Sequence, residues 1–126
     1  MDARVLLDAA RWAGAYYLAG YSIECALKSY VLVYIERNSS IIFAKKKYSE
    51  SCWTHNLEEL LKLADLTLER EQASLARPAI GQNWLITKDW SERSRYHAAT
   101  QFQAENLFAA INDPNVGVLQ WLKNYW

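Results

Sequence analysis

The stretch Ala13-Gly14-Ala15-Tyr16-Tyr17-Leu18-Ala19-Gly20-Tyr21-Ser22-Ile23-Glu24-Cys25-Ala26-Leu27-Lys28-Ser29-Tyr30-Val31-Leu32-Val33-Tyr34-Ile35-Glu36-Arg37 decides the fold. Between Arg11 and Glu36 its only charges are Glu24 and Lys28. The length suffices to cross a bilayer. Both charges would then sit near the bilayer centre, where each costs roughly 2.5–3.5 kcal/mol. Ser22, Ser29 and five tyrosines also fit lipid poorly. A helix buried in a protein bundle meets the same pattern without that cost. The segment therefore reads as a core helix and not as a membrane span.

At about 100° per residue, Tyr16, Ala19, Gly20, Ile23, Ala26, Leu27, Tyr30 and Tyr34 fall on one broad face. Tyr17, Tyr21, Glu24, Lys28 and Ile35 form a second. Ala19, Gly20 and Ala26 keep the first face low, so a neighbouring helix can come close. Glu24 and Lys28 stand at i and i+4 in the favourable order. If buried, they must pair with each other or with polar groups from neighbouring helices. Cys25 reads as a small buried hydrophobe.

Outward from this helix the chain has 126 residues, enough for one domain over 1–126 with a substantial core. Apolar residues are 52%, which argues against disorder. Fourteen basic and fourteen acidic residues cancel, so any polyanion site must be local. Cys25 and Cys52 do not make a disulfide scaffold. Asp2, Arg4, Asp8 and Arg11 interrupt the N-terminal region, which lacks a signal-peptide pattern. The expected setting is cytoplasmic.

The first helix is expected from Asp2 to about Arg11, with Gly14 marking the break before the long helix. The long helix should end near Asn38-Ser39-Ser40. Ile41-Ile42-Phe43 fits a short strand or a helix remnant. Asn56, with Glu59 three residues on, reads as a capping box, placing Leu57, Leu60, Leu61 and Ala64 inward. A helix over Leu68–Ala76 is stopped by Pro78, which opens the next. Thr100 and Gln103 make a second capping box, with Phe102, Leu107 and Ile111 inward. Asp113-Pro114 reads as the start of a last helix carrying Val118, Leu119, Trp121, Leu122 and Trp126. No alternating strand pattern or internal repeat occurs. The class is all-α, an up-and-down helical bundle of four to five main helices.

Several chemistries are excluded. His55 and His97 are far apart, and no cysteine pair has metal-ligand spacing. The glycines match no phosphate loop or dinucleotide fingerprint, and no nucleophile elbow is present. No cofactor is implied. His55 fits best as a residue ordering the turn before Asn56. Lys45-Lys46-Lys47 fits a solvated loop or a contact to phosphates. The richest segment is Trp90-Ser91-Glu92-Arg93-Ser94-Arg95-Tyr96-His97. Arginine binds phosphate bidentately, and histidine serves as acid or base near neutrality. The plain alternative is a polar turn in which Arg93 or Arg95 pairs with Glu92, Glu24 or Asp89.

Ala15 to Lys28 resembles the long helix of HEPN domains (higher eukaryote and prokaryote nucleotide-binding). His55-Asn56-Leu57 with Leu60-Leu61 is similar to the family's next helix start. Trp90, Ser91 and Arg95-Tyr96 resemble its later segment, and the stripe ending in Trp121-Leu122 its last helix. The resemblance implies a helical bundle, often a homodimer. Members include ribonuclease toxins, non-catalytic partners of small nucleotidyltransferases, and nucleotide-binding domains. It implies ligand contacts from Glu24, Lys28, Tyr17, Tyr21, Arg95 and Tyr96. Nucleolytic members use an arginine, four to six residues, then a histidine. Here three residues separate Arg93 from His97 and one separates Arg95 from it, while Glu92 stands at the shortest standard spacing. The expectation is a non-catalytic domain for a nucleotide, RNA or nucleotidyltransferase-like partner, within a toxin–antitoxin or stress-related module. The alternative is a metal-independent ribonuclease toxin using Arg93 or Arg95 with His97.

Overall fold

The structure is a computed structural model that describes residues 2–38, 40 and 52–125. Ile41-Ile42-Phe43, Lys45-Lys46-Lys47, Trp126 and the side chain of Arg95 lie outside the described part. Among the described residues there are seven α-helices and no strand. They are α1 (Asp2–Asp8), α2 (Trp12–Arg37), α3 (Leu57–Leu63), α4 (Thr67–Ala76), α5 (Pro78–Lys88), α6 (Gln101–Asn112) and α7 (Val118–Leu122). Two 3-10 turns follow α5 and α7: η1 (Glu92–Tyr96) and η2 (Lys123–Tyr125). Four helices have ten residues or more: α2, α4, α5 and α6.

α2 is the axis. It packs against α1, α3, η1, α6 and α7. Ile23 and Leu27 are fully buried against Leu57, Leu60 and Leu61 of α3, Leu107 and Ile111 of α6, and Leu122 of α7. Burying one such side chain stabilises the fold by roughly 1.5–3 kcal/mol. By length and composition α2 could cross a membrane, yet here its inner side is sealed by protein. Its serine hydroxyls bond within the helix: Ser22 Oγ donates to the Ala19 carbonyl at 2.6 Å and Ser29 Oγ to the Cys25 carbonyl at 3.1 Å. Tyr30 donates its hydroxyl to the Leu122 carbonyl, tying α2 to α7. Burial pushes that phenol up to about 12. Trp84 of α5 is 1% exposed and donates its indole N–H to Glu58 Oε2 at 2.9 Å.

Several element boundaries depart from expectation. The first break falls at Ala10 and not at Gly14, which lies inside α2. Ala10 has φ 59°, the left-handed region. Its N–H donates to Leu7, and the Arg11 N–H to Leu6, the paired bonds of a Schellman cap. Alanine there costs roughly 1–2 kcal/mol that glycine would not, so the sequence carries no glycine signal for the break. Asp65, at φ 61°, closes α3 the same way, with Leu66 bonding back to Leu61.

Asn56 caps α3 by accepting from the Glu59 N–H at 3.0 Å. The Asn56 N–H turns instead to Thr54 Oγ1 at 3.1 Å, so only half of the expected box forms. At Thr100 and Gln103 both halves form. Pro78 is the first residue of α5. Asp113 caps only a single turn, accepting from Asn115 and Val116 at 2.8 and 2.9 Å. These bonds hold its carboxyl below the usual value. The last helix starts later, at Val118, because the chain folds back tightly at Gly117. A Cβ there would lie 2.6 Å from backbone atoms of Asp113 and Ile111.

Two side chains expected inside are outside. Cys25 is exposed, two residues and thus roughly 200° from the buried Ile23. Phe102 is 75% exposed, because it lies off the stripe of Ala104, Leu107 and Ile111 that α6 buries.

Candidate functional site

Glu24 sits on the buried side of α2, 1% exposed. Its Oε2 is 3.5 Å from Lys28 Nζ, the pairing expected from the i, i+4 spacing. That contact is long, and Lys28 keeps 37% of its side chain in solvent. The closer partner is His55, whose Nδ1 lies 2.9 Å from Glu24 Oε1. With the carboxylate ionised, Nδ1 carries the proton and donates. The other ring nitrogen lies 3.3 Å from Glu92 Oε2 on η1. His55 thus bridges α2 and η1 from the turn before α3.

His55 therefore does more than order its own turn. The signal was available in sequence: a buried glutamate needs a polar partner, and the chain has only two histidines. The missing information was which helix face the turn approaches.

Aromatic rings run alongside this chain of charges. Tyr17 and Tyr21 stack with centroids 5.8 Å apart, and Tyr17 meets Trp90 at 6.0 Å. Trp90 is 2% exposed and lies flat on the bare backbone of Gly20. The Trp90 backbone N–H bonds back to the Thr87 carbonyl at 3.0 Å, which turns the chain out of α5 and into η1. Tyr17 and Tyr21 thus lie by the Trp90 ring, and Glu24 reaches η1 through His55 and Glu92, while Lys28 touches only Glu24 among these groups. Tyr96 instead projects outward, 78% exposed.

On the other side of η1 is a depression of about 330 Å³. Arg93 and His97 line it with Tyr16, Asp89, Ser94 and Gln103. The 3-10 repeat places successive side chains about 120° apart, so Glu92 can reach His55 while Arg93 faces the depression. Ser91 caps η1 by accepting from the Arg93 N–H at 3.2 Å. Ser94 Oγ is buried here without a hydrogen-bond partner. Burial, and then the Asp89 charge, push the Tyr16 phenol above its ordinary 10.0, so near neutrality it stays a donor.

Arg93 forms no ion pair with Glu92, Glu24 or Asp89, the partners of the polar-turn reading. Among the described residues no carboxylate lies within ion-pair distance of His97, and no cluster of three His, Cys, Asp or Glu could hold a metal. Comparison of the chain with protein-family models, with curated proteins and with solved structures gives no significant match.

Proposed function

We propose that the chain is a HEPN-like domain that holds a nucleotide or RNA by a phosphate at the Arg93–His97 depression and does not cleave it. One observation carries this reading: Arg93, His97 and Tyr16 line the same depression. Guanidinium, imidazole and hydroxyl are donors suited to phosphate oxygens. Asp89 on the wall opposes an anion, so binding rests on Arg93. A general base needs a partner that fixes its tautomer. Glu24 and Glu92 flank His55 in this way, whereas among the described residues no carboxylate lies within ion-pair distance of His97. That contrast, with the short Arg-to-His spacing, supports binding over catalysis.

The test is fluorescence anisotropy with a labelled single-stranded RNA and, separately, competition by ATP. Arg93→Ala should cost about 1–3 kcal/mol of binding and lower the salt slope by about one. No binding by the wild-type chain would overturn the proposal. RNA cleavage abolished by His97→Ala would transfer it to the ribonuclease reading, with Arg93 or Arg95 on the phosphate.

The same reading includes a cytoplasmic homodimer, or a nucleotidyltransferase-like partner on the same surface. Trp53, Tyr96 and Phe102 keep 84%, 78% and 75% of their area in solvent, and exposed rings favour association. Light scattering at micromolar concentration should give twice the chain mass. A clean monomer would remove the dimer.

A further inference from the structure

A second cavity, about 570 Å³, lies between α4 and the α7–η2 end of the chain. Small-molecule sites run from about 300 to 1,000 Å³. It shares no lining residue with the Arg93–His97 depression. One wall is a single face of α4, where Glu69, Gln72, Ala73 and Ala76 follow helical spacing, continued by Arg77, the extended residue that caps the helix. Glu69 and Ala76 stand seven residues apart, about 10 Å along the axis, and Arg77 lies just beyond. The ion pairs among the described residues do not join Glu69 to Arg77. The alanines between these two leave the floor low. The facing wall carries Trp121 and Tyr125, packed edge to face at 5.6 Å and 74°.

Two buried atoms on these walls lack partners. Glu69 Oε2 accepts no hydrogen bond, and the indole N–H of Trp121, a residue only 4% exposed, donates none. Each such group is costly to bury. At the far end Arg77 Nη1 donates to the Asn115 carbonyl at 3.3 Å. That bond aims the guanidinium, whose fork has further N–H groups to offer. Gln72, Gln120 and Asn124 also line the cavity and add side-chain amides.

The cavity thus presents an acidic end, a basic end and carboxamides. We propose that it binds a short peptide with free termini. Its ammonium group meets Glu69, its carboxylate meets Arg77, its amides pair with the carboxamides, and its side chains lie against the Trp121 and Tyr125 rings. An extended tripeptide, at about 3.3 Å per residue, spans about 10 Å and so matches the backbone distance along the wall between its acidic and basic ends. A single amino acid is too short to reach both ends, and a nucleotide carries no ammonium for Glu69.

The experiment follows the indole resonance of Trp121 in ¹⁵N-labelled protein, assigned with Trp121→Phe, while tri-alanine is added. The expected result is a saturable shift. N-acetyl-tri-alanine and tri-alanine amide, each lacking one charged end, should bind at least about tenfold more weakly, a difference of about one charge-assisted contact. Glu69→Gln and Arg77→Gln should do the same, and alanine alone should bind more weakly than tri-alanine. No shift up to the solubility of tri-alanine, capped peptides binding as well as the free one, or alanine binding as tightly would each overturn the proposal. The capped peptides are read on the wild-type chain, so a variant that fails to fold cannot imitate the result.

Discussion

Gly20→Ala is expected to destabilise the domain by about 3–5 kcal/mol, the cost of losing a buried tryptophan from its seat. A Cβ at position 20 would lie 2.2 Å from Trp90 Cγ and Cδ1 and 2.3 Å from its Nε1. The clash is with the body of the ring and not with the end of a flexible chain. Tyr17 at 6.0 Å hinders the ring's retreat, and Trp90 is 2% exposed, so the ring must leave its pocket. Helix propensity points the other way, since alanine in a helix interior is about 1 kcal/mol better than glycine. The steric term is several times larger and decides the sign. Urea unfolding followed by tryptophan fluorescence measures the difference. A midpoint equal to or above wild type would show that the ring does not rest on Gly20. The cycle with Trp90→Ala sharpens the test: once the ring is gone, Gly20→Ala should cost nothing further.

This contact also shows where sequence reasoning reached its limit. Ala19, Gly20 and Ala26 marked a low face on the long helix, which is what a close neighbour requires. The neighbour turned out to be a tryptophan from the segment after α5, and no local pattern pairs position 20 with position 90. Capping residues were legible because their chemistry is local: Asn56, Pro78 and Thr100 each open a helix. The break at Ala10 was not legible, because a left-handed alanine leaves no compositional mark. Cys25 was misplaced for another reason. A helix apolar on nearly all sides has no phase in its hydrophobic pattern, so inside and outside cannot be told apart from the helix alone. The site was half legible in the same sense. Glu24 with Lys28 follows from spacing, whereas His55 and Glu92 join them only through the fold.

The Glu24 network makes an asymmetric prediction, and the asymmetry follows from burial. Glu24 is 1% exposed, while His55 and Lys28 keep 44% and 37% of their side chains in solvent. Removing His55 strands a buried carboxylate with one distant ammonium. Breaking a buried pair in that direction costs about 3–5 kcal/mol, and Lys28 at 3.5 Å keeps the loss near the lower end. Neutralising Glu24 instead leaves an ammonium and an imidazole that water can reach. Glu24→Gln keeps the shape and an acceptor for the imidazole, so its cost should stay near about 1–1.5 kcal/mol. His55→Ala should therefore be the more damaging change, although His55 is the more exposed residue. Adding Glu24→Gln to His55→Ala should restore stability, because the stranded charge is gone; coupling between contacting groups is about 0.5–3 kcal/mol. Additive losses in urea unfolding would sink this account. His55 also holds Glu92, the residue before Arg93, so the same variant should speed amide hydrogen exchange across residues 92–96. Faster exchange there, with α6 still protected, would tie the buried carboxylate to the segment that presents Arg93.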